Sequence, residues 1–184
     1  MIGNCTTSTA RSSGPTSTLL APEKGDQDPA AREQLGRSRG GFSTKLHVRV
    51  DGRGRPLLLL LSPGQSSDHK GFAPLVDGLQ VRSGQRGRPR SRPRKIVADA
   101  ADLARSNRRL LRCRGIGCVI PRARTHRRRG PFDKAAYRQR NQVERFFARI
   151  KQFRRMATRY EKLARHNLAI VTLAVTVIWL RELA

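Results

Sequence analysis

One stretch sets the fold class: residues 44–61 read Thr-Lys-Leu-His-Val-Arg-Val-Asp-Gly-Arg-Gly-Arg-Pro-Leu-Leu-Leu-Leu-Leu. Polar and apolar side chains alternate up to Val50, which is the period of a strand that has one covered face. The Asp-Gly-Arg-Gly segment that follows is rich in turn formers. The leucine run after it is continuous, as in a strand that is buried on both faces. The stretch therefore predicts a β-hairpin whose second strand is buried on both sides.

Helical and strand patterns alternate in the chain after this hairpin. A helix is predicted to begin at Ser67 or Asp68, and the short run Lys95–Ala98 predicts a strand that carries Asp99 at its C-terminal end. The later predicted elements are a helix over 101–114, a strand over 116–120, a long helical region that contains Glu144, and an apolar helix over 168–180. This order predicts an α/β (α+β) fold with a small mixed sheet and flanking helices.

The charge of the chain points to a polyanionic partner. It has 39 Lys and Arg against 13 Asp and Glu, a net charge of +26 and a pI near 11.8. Residues 82–165 hold 28 of the 39 basic residues but five acids, so the charge is localised. A merely solvated surface would mix both signs, and Arg matches phosphate oxygens with two parallel hydrogen bonds. Composition therefore favours nucleic acid as the partner.

A single carboxylate lies among cations and an aromatic ring in the last third of the chain. Tyr137, Arg140, Glu144 and Lys151 are spaced so that, at about 100° per residue, they share one face of a helix. A carboxylate in such a cationic surrounding suits a divalent cation on a phosphodiester, because the bases hold the nucleic acid while the carboxylate holds the metal. Glu144 is thus the first candidate for a metal ligand.

Neither end of the chain predicts a membrane segment. Residues 1–34 are rich in Ser, Thr, Pro and Gly without periodicity, so we expect them to be disordered, and they contain no signal peptide. Leu168–Leu180 would span only about 20 Å as a helix, too short for a bilayer, and predicts a buried helix instead. The three cysteines form no disulfide framework. We expect a cytoplasmic protein, associated with the nucleoid, that does not contact the membrane.

Six short motifs carry a resemblance to a known family. They are Leu35–Gly41, Thr44–His47, Val50–Gly52, Pro63–Gln65, Val97–Asp99 and Arg140–Arg145. Together they resemble bacterial insertion-sequence transposases of the DDE superfamily, in the insertion-sequence five group. The residues Tyr137, Arg140, Glu144 and Lys151 fit that family's Y-x2-R-x3-E-x6-K signature at every spacing. The resemblance covers residues 35–181, so we expect residues 35–184 to form a partial DDE transposase catalytic domain.

The resemblance implies an RNase H-like fold in which two aspartates and one glutamate hold two Mg²⁺ (or Mn²⁺) ions. By position Asp99 is the second of these ligands and Glu144 the third, so both are expected to be catalytic and to bind metal. The implied DNA-binding residues are Tyr137, Arg140, Arg145 and Lys151. The implied partner is DNA at the ends of the insertion sequence, bound by a homodimer or together with a second polypeptide that supplies the missing N-terminal part.

The chain departs from the family at the first aspartate. The family carries it on a strand before the Leu35–Gly41 motif, in a segment resembling Asp-Gly-Thr-Val-Val-Arg-Ala-His-Gln-His-Ala-Ala-Gly-Ala, which this chain lacks. Residues 11–22 can yield the end of that segment if their codons are read one nucleotide earlier, and the codon spanning Ser8 and Thr9 can then encode Asp. We therefore predict an out-of-frame leader, a missing first strand and impaired catalysis.

A second departure follows the second aspartate, where the family's Lys-Ala-Tyr continuation is replaced by Ala100-Ala101-Asp102. This removes a base and an aromatic ring and adds a negative charge. Two functions from different classes follow from the sequence. The first is a DNA transposase that cuts and transfers strands and is catalytically impaired, and the alternative is a non-catalytic basic protein that binds nucleic acid.

Overall fold

The computed structural model describes residues 5–13, 36–38, 41–81, 88–99, 105–121, 131–153 and 164–183. In these ranges the strands are β1 (Cys5–Ser13), β2 (Gly36–Ser38), β3 (Gly41–Val50), β4 (Pro56–Pro63), β5 (Lys95–Ala98) and β6 (Gly117–Val119). The helices are α1 (His69–Asp77), α2 (Arg105–Cys113), α3 (Lys134–Arg138), α4 (Asn141–Lys151) and α5 (Ala164–Leu183). The predicted mixed α/β fold is confirmed.

The strands form one sheet in the order β2-β3-β1-β5-β6, with β4 paired to β3 outside this path. β5 is parallel to both of its neighbours, β1 and β6. In β5, Ile96 and Val97 pair with Cys5 and Thr6 of β1 on one side and with Cys118 and Val119 of β6 on the other. The order and the directions around β5 agree with the expected RNase H-like sheet.

The prediction of a missing first strand and of a disordered leader over residues 1–34 is wrong for Cys5–Ser13. This segment is β1, and it lies between β3 and β5. Its sequence, Cys-Thr-Thr-Ser-Thr-Ala-Arg-Ser-Ser, contains three β-branched threonines and no glycine or proline, which suits a strand. The strand was not predicted because the overall Ser and Thr content of residues 1–34 is also typical of disordered segments. β1 therefore occupies the position of the strand that was expected to be missing. Residues 14–34 lie outside the described ranges.

The predicted hairpin is present as β3 and β4, joined by a turn that Asp51 organises. The Asp51 carboxylate accepts hydrogen bonds from the backbone N–H groups of Arg53 (2.9 Å) and Arg55 (3.0 Å) and pairs with the Arg55 guanidinium at 2.6 Å. Gly54 has a φ of 85°, which glycine adopts without a steric penalty. The second strand differs from the prediction, since Leu57–Leu61 are half-buried and not covered on both faces.

The described residues form two compact units. The first unit comprises the described parts of Met1–Ser8, Val48–Leu59 and Ser67–Arg145. In it, Phe72 and Val76 of α1 and Leu111 of α2 pack with Ile96 and Ala98 of β5. On the other side of β5, Val97 packs with Val119 of β6 and Ala136 of α3. Because side chains alternate along a strand, α1 and α2 cover one face of the sheet and α3 covers the opposite face.

The second unit comprises the described parts of Thr9–His47, Leu60–Ser66 and Phe146–Ala184. The Lys45 Nζ donates to the Ser66 carbonyl at 2.5 Å, and His47 Nε2 lies 2.7 Å from Ser62 Oγ. Gly64 belongs to a family motif, and its N–H donates to the Ser43 carbonyl at 3.0 Å. A Cβ at position 64 would lie 2.7 Å from that same oxygen, so the close approach of the two segments requires glycine.

Two of the predicted helices differ from their predicted forms. The helix predicted over 101–114 is α2, with its first four positions outside the described ranges, and it ends at Cys113, two residues before Gly115, which has a φ of 65°. α5 begins at Ala164 and is buried on one side only, since Leu173 and Leu180 are 67% and 61% exposed. No helix in the described part of the chain has the length and apolar character needed to span a bilayer.

Arg49 is fully buried and holds the C-terminal end of α1. Its Nη1 donates to the carbonyls of Leu75 at 3.0 Å and Val76 at 3.1 Å. These carbonyls belong to the last turn of the helix, which has no intrahelical donor for them, and a cation there also opposes the negative end of the helix dipole. The alternating pattern of β3 predicted a solvated side chain at position 49, but Arg49 is a buried structural cation.

We predict that Arg49→Leu lowers the free energy of unfolding by about 2–3 kcal/mol, because two charge-assisted hydrogen bonds are lost at a buried helix end. Urea denaturation followed by circular dichroism measures the change. Arg53→Leu, an exposed site in the turn, is the matched control and should stay within about 0.5 kcal/mol of the parent. Equal midpoints for the two variants would contradict the structural role of Arg49.

Candidate active site

Asp99 follows the last residue of β5 at the C-terminal edge of the sheet. It lies two residues after Val97, so the alternation of the strand places it on the face that α3 covers. Its side chain is 38% exposed and is therefore accessible to solvent beside a buried strand. The sequence prediction that a strand delivers Asp99 to this edge agrees with its position.

Glu144 lies in the first turn of α4, and its side chain is 51% exposed. The single long helix predicted for this region is two helices, α3 and α4, joined through Gln139 and Arg140. Backbone N–H groups at the junction bond three residues back, from Arg140 to Tyr137 (3.0 Å) and from Gln142 to Gln139 (3.0 Å). These tighter turns break the regular 3.6-residue period, so Arg140 belongs to the junction and not to a helix.

The Arg140 guanidinium joins the two carboxylates. Its Nη2 lies 2.7 Å from Glu144 Oε1, and its Nη1 lies 3.7 Å from Asp99 Oδ1. The Arg140 side chain is 26% exposed, so the contact is partly shielded from water. Asp99 and Glu144 are 45 positions apart in the sequence, yet they converge on one planar cation. The structure therefore brings both predicted carboxylates to one place.

Tyr137 completes this cluster. The Arg140 guanidinium carbon lies 5.7 Å from the centroid of the Tyr137 ring, within the range of a cation–π contact. On its other side the ring packs against Phe132 at a centroid distance of 5.3 Å. Partial burial raises the pKa of Tyr137; the Arg140 charge lowers it, and the Asp99 and Glu144 charges raise it. The phenol is therefore protonated at neutral pH and can donate a hydrogen bond.

An ion pair that the sequence analysis missed positions α3 against β5. Lys95 Nζ lies 2.7 Å from Asp133 Oδ2, and Asp133 Oδ1 accepts from the Ala136 N–H at 2.8 Å as the N-cap of α3. The hydrogen bond from Lys95 lowers the pKa of Asp133. The two residues are 38 positions apart, so periodicity could not join them. The sequence did offer a signal for the N-cap: Asp133 stands at the start of a helical pattern, three residues before Ala136.

The turn of the hairpin lies beside the start of α4. A Cβ at Gly54 would lie 2.8 Å from Gln142 Oε1, so the backbone of the turn and the Gln142 side chain are in close contact. Two of the motifs that carry the family resemblance, Val50–Gly52 and Arg140–Arg145, thus come close in this unit, through a glycine two residues after the first motif and a residue of the second. This contact helps to fix the start of α4, the turn that carries Glu144.

Arg145 and Lys151 are exposed residues of α4. Arg145 follows Glu144 directly, whereas Lys151 lies seven residues further along the helix, about 10 Å away by helical rise and on nearly the same face. Within the described ranges, no ion pair joins either side chain to Asp99 or Glu144. Their predicted role in DNA binding remains a prediction.

The donor chemistry of the cluster fits one hard divalent cation. Asp99 and Glu144 supply carboxylate oxygens, and Mg²⁺ is commonly held by one or two carboxylates together with water and phosphate. No group of three or more His, Cys, Asp or Glu side chains suited to a metal occurs among the described residues. Asp102, which follows the second aspartate, lies outside them. Two carboxylates are too few for the two closely spaced ions that the resemblance implies.

The titration of Tyr137 tests this cluster. In a Tyr160→Phe background, which leaves one tyrosine, we predict that Arg140→Gln raises the Tyr137 pKa because it removes the cation, and that Glu144→Gln lowers it because it removes an anion. Tyrosinate absorbance in an alkaline titration measures both shifts. Arg138→Gln, an exposed neighbour, should cause a smaller change. If the three variants titrate alike, the four groups do not form one cluster.

Comparison with known proteins identifies the family. The family model described as the transposase DDE domain matches residues 15–179. A Burkholderia cepacia protein described as a transposase for insertion sequence element IS402 is 36% identical over 121 residues, 66% of this chain and 55% of that protein. A Brucella ovis protein described as a transposase for insertion sequence element IS6501 is 34% identical over 141 residues, 76% of this chain and 100% of that protein.

The match thus spans about half the length of the IS402 relative and the full length of the IS6501 relative. Neither description names the insertion-sequence five group, so that finer assignment stays a prediction. With a family match over most of its length and relatives above 30% identity, the chain belongs to the transposase DDE domain family.

Proposed function

We propose that this chain is the catalytic part of a metal-dependent DNA transposase whose carboxylate centre lacks one member. The observation that carries the proposal is the convergence of Asp99 and Glu144 on the Arg140 guanidinium, with contacts of 3.7 and 2.7 Å. Family membership supports phosphodiester chemistry on DNA, and the net charge of +26 supports a polyanionic substrate. Binding to the chromosome would place the protein in the nucleoid.

The carboxylates of Asp99 and Glu144 would hold a divalent ion. When bound, a Mg²⁺ or Mn²⁺ ion would activate the attacking oxygen and stabilise the charge on the leaving oxygen at phosphorus. The carboxylates would orient the ion, and Arg140 neutralises them while it is in contact with them. Arg140 also lies close enough to the cluster to pair with a non-bridging phosphate oxygen of DNA bound there. The protonated Tyr137 phenol can donate to a neighbouring phosphate.

The register of β1 supports a position for the absent carboxylate. Thr7 pairs with Ala98, so in these parallel strands the backbone of Ser8 comes next to Asp99. Neighbouring strands are about 4.8 Å apart, a separation at which two carboxylates can share an ion. The out-of-frame reading of the leader gives Asp at the codon that spans Ser8 and Thr9, which is this position or the next one in the chain.

The remaining predicted residues take supporting roles. Lys151 is on the face of α4 that carries Glu144, and Arg145 is next to Glu144 in the sequence. We propose that both contact DNA phosphates, at the ends of an insertion sequence. The proposed assembly on paired ends is a homodimer.

The alternative function is a non-catalytic basic protein that binds nucleic acid. One observation favours it: the described residues contain no cluster of three metal-binding side chains. Under this alternative Arg140 is a permanent partner of the two carboxylates, and the chain binds phosphates without cutting them. An aspartate at position 8 distinguishes the two functions, because it would raise metal affinity and nicking only if Asp99 and Glu144 form a metal centre.

We predict that Ser8→Asp increases the affinity for Mn²⁺ by roughly tenfold or more, because the added carboxylate would contribute about 1.4 kcal/mol or more of binding free energy. Isothermal titration calorimetry without DNA measures it. Thr9→Asp is the matched control: successive strand positions face opposite sides of a sheet, so an aspartate at position 9 would not join Asp99. Equal Mn²⁺ affinities for the two variants would refute the proposed register.

We further predict that the Ser8→Asp chain gains Mg²⁺-dependent nicking of supercoiled plasmid DNA. Adding Glu144→Gln should reduce this nicking at least about a hundredfold, as expected when a carboxylate of a metal centre is lost. Adding Glu182→Gln, on α5, should leave it unchanged. Nicking that survives Glu144→Gln would exclude Glu144 as a ligand, and no nicking by Ser8→Asp would favour the non-catalytic alternative.

A further inference from the structure

The arginines of α2 divide into two groups with different surroundings. The helix sequence is Arg-Ser-Asn-Arg-Arg-Leu-Leu-Arg-Cys, without an acid. Arg108 turns toward the protein, where it donates to the carbonyls of Ile120 at 3.1 Å and Pro121 at 2.5 Å. Arg114, just after the helix, pairs with Asp77. These two cations have structural partners, and the fold accounts for them.

The other three arginines form an exposed face. Arg105, Arg109 and Arg112 lie four and then three residues apart, which places them on one side of α2, while Asn107 and Leu111 on the other side are buried. Within the described ranges no ion pair involves Arg109 or Arg112. Like charges at this spacing repel one another and destabilise a helix, so a bound anion would stabilise the arrangement. We call these three residues the α2 arginine face.

The described chain next to the α2 arginine face is also strongly basic. The described segments 88–99 and 105–121 contain one acid, Asp99, which lies on the opposite face of the sheet. Arg92 and Arg94 are exposed, and the Arg94 carbonyl accepts from the Gly117 N–H at 3.1 Å, so this basic segment reaches the chain just beyond α2. A solvated protein surface normally mixes both signs. The described segments next to the α2 arginine face therefore add positive charge to it.

The α2 arginine face does not belong to the site around Asp99. Leu111 of α2 packs with Ile96 and Ala98, whereas Asp99 shares the face of Val97, which packs with α3. The sheet thus lies between α2 and the carboxylates. The exposed arginines are on the outer side of α2, since Asn107 and Leu111 on its inner side are buried. A duplex bound straight across the Asp99 edge would not cover them.

We propose that the α2 arginine face binds a second segment of duplex DNA while the Asp99 side binds the first. Seven residues of helix extend about 10 Å, which corresponds to three base-pair steps of about 3.4 Å, so three arginines can follow the phosphates of one strand. Guanidinium groups suit phosphate oxygens, and contacts of this kind are independent of sequence. The inference takes DNA as the partner from the proposed function, but it needs no metal and no cutting.

A bridging experiment tests this inference. The full chain is bound to a biotinylated 30-bp duplex on beads in buffer with a chelator, and retention of a second, fluorescent duplex is measured. We expect the wild type to retain the second duplex and Arg105→Gln/Arg109→Gln/Arg112→Gln to lose at least about nine-tenths of it while still binding the first. The matched control Lys70→Gln/Arg165→Gln/Arg181→Gln has the same net charge and should behave as the wild type.

Each other outcome overturns the inference. Bridging that persists in the α2 variant, or that is absent from the wild type, means that the α2 arginine face does not hold a second duplex. Preferential retention of an RNA hairpin or of phosphatidylserine vesicles, lost in the α2 variant, would assign the face to a different partner. All three altered arginines are exposed, and thermal melting checks that the variant is folded. Because the chelator excludes metal, the result is independent of the Ser8→Asp and nicking experiments.

Discussion

The parallel pairing of β5 with β1 on one side and β6 on the other is the constraint on which the first unit depends. It buries Ile96, Val97 and Ala98 completely, and their alternation sends α1 and α2 to one face and α3 to the other. The same alternation places Asp99 on the α3 face at the edge where β5 ends. Without β1 the sheet would lose the neighbour that fixes this edge, so a segment with almost no apolar side chains has a central architectural role.

Electrostatics then determine what this edge can do. Two carboxylates near each other repel, and here the Arg140 guanidinium offsets that repulsion by contacting both. A third carboxylate at position 8 would shift the balance toward a divalent cation, which brings more charge to the same oxygens than one guanidinium. Under the proposed function, the state of the centre depends on one position in β1. Two cations elsewhere stabilise the elements that hold the centre. Arg49 of β3 donates to the carbonyls at the end of α1, and Lys95 of β5 pairs with Asp133, the N-cap of α3.

The local patterns in the sequence predicted most of the elements and the position of Asp99 at the end of β5. The hairpin after Thr44 could be predicted because its alternating strand and its turn residues are adjacent in the chain. The position of Asp99 at a strand end could be predicted because a short apolar run precedes it. β1 was missed because Ser and Thr suit both strands and disordered segments. The junction at Arg140 was missed because a change from four-residue to three-residue hydrogen bonding leaves almost no trace in composition. Long-range pairs such as Lys95 with Asp133 have no local signal at all.

A crystal of the full chain soaked in Mn²⁺ tests the central claim most directly, through the anomalous difference map. The account predicts one peak within coordination distance of both the Asp99 and Glu144 carboxylates, with the Arg140 guanidinium displaced from at least one of them. Peaks that contact neither residue, or carboxylates that lie on different sides of the molecule without a shared ion, would contradict it.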